Sequence, residues 1–139
     1  MSKTSIFVNL PVKNVQSSID FFKRIGYSFN PQFTNEKGAC MIIEENIFAM
    51  LLDEEFFKSF TKKPITDVAT STEVIIALSA DSKEKVAELV DLAFAAGAGV
   101  YNEPDDQGFM YSRSFKDLDG HLWEVVYMDP TYVIDQDAN

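Results

Sequence analysis

Apolar and polar positions along the chain alternate between two periods, and the alternation occurs twice. Residues 5–12 (Ser-Ile-Phe-Val-Asn-Leu-Pro-Val) form a run rich in β-formers. Asn14 follows as a helix N-cap, and Val15, Ile19, Phe22 and Ile25 recur at helical spacing until Gly26 supplies the stop. Strand-like runs come next: Tyr27 to Phe33, Ala39 to Ile43, and Ile47 to Leu52, the last two joined through Glu44-Glu45-Asn46. The second half repeats the order. Glu73 to Ala80 reads as a strand, Ser82 as an N-cap, and Val86, Leu89, Val90 and Ala93 as the apolar stripe of a helix that Gly97 ends. A strand from Gly99 to about Glu103 is expected after it, and then a hairpin.

The halves superpose. Leu10-Pro11-Val12-Lys13-Asn14 lies opposite Leu78-Ser79-Ala80-Asp81-Ser82, and Gly26 opposite Gly97, with the second helix three residues longer. Asn30-Pro31 and Glu103-Pro104 punctuate each half at nearly matching points. The pattern predicts an α+β fold of two β-α-β-β-β repeats forming a curved mixed sheet around a cup. Each repeat alone leaves one sheet face unburied, so the pair is expected to associate. One domain over residues 1–139 is expected: repeat one 5–53, linker 54–71, repeat two 72–128 and tail 129–139. Asp53 to Phe60 predicts a short helix, Thr61 to Ser71 a polar linker, and Tyr132-Val133-Ile134 a docking point in an otherwise loose tail.

The closing hairpin carries the sharpest chemistry. Asp119-Gly120 is a strong turn dipeptide, flanked by Met110 to Phe115 and by Leu122 to Tyr127. The second of these strands is apolar on both faces, which implies burial on both sides. One carboxylate, Glu124, is set into it. A charge there is costly unless it is paired, hydrogen-bonded or bound to a metal. Glu124 is either an acid satisfied by neighbouring strands or the functional group of a cavity.

Composition narrows the classes. A net charge of −10 argues against nucleic acid, whose phosphates would be repelled, and equally against an anionic membrane surface. No apolar stretch approaches the roughly 20 residues of a membrane span, and no signal peptide is visible. With Cys40 alone there is no intramolecular disulfide, so a reducing, cytoplasmic setting is expected. Cys40 itself reads as an inert packed thiol. Walker loops, Rossmann fingerprints, Ser nucleophile elbows and CxxC pairs are missing from the sequence. The acidic runs Asp53-Glu54-Glu55 and Asp105-Asp106 read as solvated loop charges.

Strand alternation places Phe7, Asn9 and Pro11 on the cup face of the first strand, and Ile75, Ala77 and Ser79 on that of the second half. Leu122, Glu124 and Val126 join them, with Met50 and Met110 adding adaptable surface. Such a lining, apolar with a few polar points, suits a small organic ligand. Tyr111 and Arg113 share one face of their strand; Arg113 could clamp an anionic ligand group, or pair with Asp117 or Asp119. His121 is read as fixing the turn or an outer face.

The double β-α-β-β-β layout resembles the vicinal oxygen chelate superfamily, which includes glyoxalase I, extradiol dioxygenases and bleomycin-resistance proteins. Residues 10–22, from Leu10-Pro11-Val12 to Phe21-Phe22, look like that family's first strand and helix, and residues 109–124, with the core Asp117-Leu118-Asp119-Gly120-His121-Leu122-Trp123-Glu124, are similar to its closing hairpin. In metal-dependent members, the resemblance implies, four side chains converge inside the cup. Carried over, they fall at Phe7, at Ile75, near Ala49 or Met50, and at Glu124. Only Glu124 is a family-type ligand. His121 stands three residues before it, which on a strand sends the two side chains to opposite faces. The expectation is therefore binding of a small, largely apolar molecule without a resident cofactor. The alternative is a lactoylglutathione-lyase-like or isomerase-like enzyme using Glu124 as acid or base, with a divalent metal held elsewhere. The resemblance further implies a homodimer.

Overall fold

A computed structural model describes residues 4–132. Strand β1 (Ile6–Val12) leads into helix α1 (Val15–Arg24), where Asn14 Oδ1 accepts the Ser17 N–H at 2.9 Å and closes the first turn. Gly26, at φ 109°, ends the helix in a conformation that side chains avoid. Strands β2 (Ser28–Phe29), β3 (Gly38–Glu44) and β4 (Ile47–Asp53) complete a sheet of order β1-β4-β3-β2, with β1 parallel to β4. The strand expected over residues 27–33 is cut short at Phe29. Pro31 has no N–H for a ladder, and Pro31–Phe33 turns as a 3-10 helix capped by Asn30.

Helix α2 (Glu54–Lys58) and an irregular stretch lead to the second repeat: β5 (Ile75–Ser79), α3 (Lys83–Ala95), β6 (Asp105–Asp106), β7 (Met110–Lys116) and β8 (Leu122–Met128). Its sheet order, β5-β8-β7-β6, mirrors the first, and Ser82 caps α3 through the Lys85 N–H as Asn14 caps α1. The strand expected over residues 99–103 does not form. Gly99 makes a single bridge with Lys116, and the Asn102 N–H then turns to Ser114 Oγ at 3.2 Å. The short edge strand forms instead at Asp105–Asp106, the pair assigned above to a solvated loop.

Both helices cover the same side of the molecule. Even-numbered residues of β1 (Leu10, Val12) and odd-numbered residues of β8 (Trp123, Val125) enter one shared core with α1 and α3. The Phe22 and Trp123 rings lie 5.3 Å apart and Phe21 and Phe115 6.2 Å apart, so α1 of the first repeat packs onto the strands of the second. The other face of each sheet carries no long helix; in the first sheet only the end at Pro11 and Leu52 is covered, where α2 meets β1 and β4. Burial of β8 on both faces is therefore corrected: Trp123 and Val125 are buried, whereas Leu122, Glu124 and Val126 are only partly covered. The two sheets curl weakly and do not close a deep cup. Tyr132 stacks on Phe109 at 4.1 Å, while Val133 and Ile134 lie outside the described residues.

Candidate functional site

The uncovered sheet faces are where strand alternation sends Phe7, Asn9, Phe48 and Met50 in one repeat, and Ile75, Ala77, Leu122, Glu124 and Met110 in the other. Register fixes the correspondence between them. Phe7 pairs with Phe48 and Asn9 with Met50; Ile75 pairs with Leu122 and Ala77 with Glu124. Phe7 and Phe48 stack with their ring centroids 4.9 Å apart, yet Phe7 stays 54% exposed and Ile75 46%. Large apolar side chains on a face that no helix covers leave hydrocarbon in water, which favours an occupant. Glu124 is the carboxylate among them, and among the described residues its side chain has no hydrogen-bond or ion-pair partner. A carboxylate satisfied by neighbouring strands is thus not what the structure contains.

The four positions that the resemblance associates with metal can now be placed. Ala49 is buried in the core, so Met50 is the fourth. Phe7 and Ile75 offer hydrocarbon, Met50 a thioether and Glu124 one carboxylate. A divalent cation competes for water's place with about three N or O protein ligands, and this set does not fit one. Among the described residues, no three His, Cys, Asp or Glu side chains converge elsewhere to hold a metal ion.

Tyr111 and Arg113 stand on the opposite, helix-covered face of β7, away from Met110. Arg113 donates to Asp91 Oδ1 on α3 at 2.8 Å and lies 5.8 Å over the Phe94 ring. The expected pairing with Asp117 or Asp119 is corrected, because Asp117 is buried within the hairpin loop and Asp119 is engaged at the end of β1. Asp117 Oδ1 accepts the N–H groups of Asp119 and His121 at 3.0 Å each, and Oδ2 accepts Trp123 Nε1 at 2.9 Å. Asp119 Oδ1 accepts the Lys13 N–H at 2.8 Å, tying this loop to the end of β1. Burial pushes the Asp117 carboxyl above the usual carboxylate range, against the opposing pull of His121 and these donors. His121 is buried rather than outward-facing, with Nε2 2.7 Å from the Pro11 carbonyl oxygen. Neither the inward role of Asp117 nor the proximity of Glu73 to His121 was visible in the sequence; three donors to one carboxylate require the folded loop. Cys40 is buried, which raises its thiol above the ordinary value.

On the helix side a crevice of about 470 Å³ separates the repeats, lined chiefly by Ile6, Val8, Tyr27, Ile43, Ile76 and Leu78. Tyr27 is pushed up to about 12 by burial, so its phenol stays protonated at neutral pH.

Paired β-α-β-β-β units with helices on one side and an uncovered apolar face on the other define a class of fold, and the sequence places the chain within it. The model of the Glyoxalase/Bleomycin resistance protein/Dioxygenase superfamily matches residues 6–125, and the chain belongs to that superfamily. Among solved structures it is similar to the hypothetical protein SA1046 of S. aureus, at 27% identity over 91% of this chain and 95% of that one, with a TM-score of 0.77. The fosfomycin resistance protein FosX of Listeria monocytogenes shares 21% identity over 91% of this chain and 94% of its own, with a TM-score of 0.66. A bleomycin resistance determinant encoded on the transposon Tn5 shares 17% identity over 91% and 99%, with a TM-score of 0.63. These last two share the fold. No curated protein matches the chain.

Proposed function

We propose that this protein binds a small, largely apolar organic molecule on the uncovered faces of its two sheets, without the metal that other superfamily members use. The observation that carries this reading is the exposed Phe7–Phe48 stack on the outer face of the first sheet, matched on that of the second by Ile75, Leu122 and one partnerless carboxylate, Glu124. Apolar walls supply the affinity and Glu124 supplies a single polar point of recognition, the usual division of labour in small-molecule sites. The hydrocarbon at Phe7 and Ile75 supports metal independence. Because one chain leaves this face open, a second copy placed over it is the economical way to enclose the ligand, and a homodimer is part of the proposal.

A second reading is favoured by Glu124 itself. A partly covered carboxylate free of partners is available to take or return a proton, which is what a lyase- or isomerase-like reaction asks of it. Elemental analysis of the purified protein, with native mass spectrometry for a retained ligand, tests the first reading. The expected result is no stoichiometric metal and a dimer carrying an organic adduct; one tightly held transition-metal ion per chain overturns it. Glu124→Gln separates the two readings, since it abolishes turnover under the second and only retunes affinity under the first.

A further inference from the structure

His121 is the only histidine of the chain and is 3% exposed. It stands where the two repeats meet, with Nε2 2.7 Å from the Pro11 carbonyl oxygen. A carbonyl can only accept, so Nε2 carries a hydrogen. Nδ1 lies 3.6 Å from Glu73 Oε1 and is a fully buried side-chain atom without a hydrogen bond. If Nδ1 is bare, its lone pair faces a carboxylate oxygen, and a buried acceptor goes unsatisfied. If Nδ1 carries a second proton, the same geometry is an imidazolium–carboxylate pair.

Glu73 belongs to residues 64–74, the stretch that precedes β5. Val68 sits directly on the hairpin loop: a Cβ at Gly120 would come 2.9 Å from Val68 Cγ2. Two cavities flank the contact, one of about 180 Å³ reaching Leu122 and one of about 430 Å³ reaching Pro11 and Lys13, and Val68 and His121 line both. The charged surroundings of the ring come from five places. The loop brings Asp117, bonded to the His121 backbone, and Asp119; β7 brings Lys116, with Tyr101 beside it. Lys13 follows β1, Glu54 and Lys58 belong to α2, and the stretch itself contributes Asp67 and Glu73. Among the described residues, Glu73 is the group within ion-pair distance of the ring.

We propose that His121 and Glu73 form a proton-controlled clasp. With Nδ1 protonated, the ring fastens residues 64–74 over the junction of the repeats. As pH rises and Nδ1 loses its proton, attraction gives way to the opposition of two acceptors, the stretch lifts, and the two cavities join into one that opens toward Leu122. The sign follows from linkage: a contact that needs the proton is present at low pH and lost as pH increases. The clasp stands independently of what the sheet faces bind.

The test uses the full chain and its Glu73→Gln variant, which keeps the size of a side chain that is 26% exposed and removes its charge. Long-range nitrogen–proton NMR of the single imidazole reports each ring nitrogen, and hydrogen exchange of residues 64–74, corrected for the intrinsic effect of pH, reports the stretch. Between the lowest and the highest pH at which the fold holds, Nδ1 is expected to lose its proton while Nε2 keeps its own. Corrected exchange is expected to quicken by about fivefold or more, the equivalent of about 1 kcal/mol of local opening. In Glu73→Gln the fast exchange is expected already at the lower pH. Exchange that is unchanged across this range, a variant that retains the wild-type pH response, or an Nδ1 bare at both extremes overturns the clasp.

Discussion

Met50 occupies in the first repeat the register position that Glu124 occupies in the second: Asn9 pairs with Met50 across β1 and β4, and Ala77 with Glu124 across β5 and β8. The duplicated scaffold therefore presents one thioether and one carboxylate at equivalent points, flanked by Phe7 and Ile75. An arrangement with near two-fold backbone symmetry has chemically unequal halves. Any ligand lying across it meets a soft apolar wall on one side and a charge on the other.

Phe7→Ala separates binding from folding. Because Phe7 is more than half exposed, its loss should cost less than about 1 kcal/mol of stability by urea unfolding. Loss of the stacked ring should weaken binding of the neutral probe N-phenyl-1-naphthylamine by about tenfold, the equivalent of about 1.4 kcal/mol, read as fluorescence enhancement. Unchanged probe affinity would move the binding site away from the Phe7–Phe48 stack.

Asp117→Ala should be among the most damaging substitutions of the hairpin. It leaves Trp123 Nε1 and the N–H groups of Asp119 and His121 without their acceptor, for an expected loss of about 3–5 kcal/mol. The pH dependence has a definite sign. With its carboxyl raised by burial, the folded form holds the proton more tightly than the unfolded chain. The stability Asp117 contributes through that proton is full below the ordinary carboxylate range and falls as pH rises through the raised value. Unfolding of the wild type and of Asp117→Asn at a series of pH values should show the wild type losing its relative advantage across that window.

Two glycines with positive φ should respond differently to alanine. Gly26 has open space where a Cβ would go, so Gly26→Ala pays only for the φ of 109°, about 1 kcal/mol. At Gly120 the same backbone penalty, at φ 87°, is joined by a collision with Val68 Cγ2. Thermal denaturation should rank Gly120→Ala clearly below Gly26→Ala.

Asp91→Ala tests the reassignment of Arg113. The pair is 2.8 Å long but its acid is two-thirds exposed, so the loss should stay below about 1 kcal/mol. Arg113→Ala should cost more, since it also strips the cover from Phe94. Neither should alter probe binding, because both groups stand on the helix-covered face. A strong binding defect in Arg113→Ala would place the ligand on that face instead.

Local chemistry made much of the architecture readable. Asn14 and Ser82 announce the helix starts and Gly26 and Gly97 their ends, because caps and positive-φ stops act within a few residues. The edge strands were less readable. Two residues of β2 or β6 carry no periodicity; the interruption at Pro31 is local to the proline and its Asn30 cap, but the diversion of Asn102 depends on Ser114 on another strand.

For the candidate site, the amino-acid order alone determined which residues alternate together on a strand, and hence that Phe7, Asn9, Ile75, Ala77, Leu122 and Glu124 keep the company they do. It also determined that hydrocarbon stands at Phe7 and Ile75. Only the tertiary structure decided which face of β7 the helices cover, which turned Tyr111 and Arg113 away, and which of Ala49 and Met50 looks outward. It alone brought Pro11, Glu73 and Asp117 around His121. The reason is physical: alternation is a property of one strand, whereas which side is buried, and which distant acceptor meets a buried donor, is settled by packing between elements far apart in sequence.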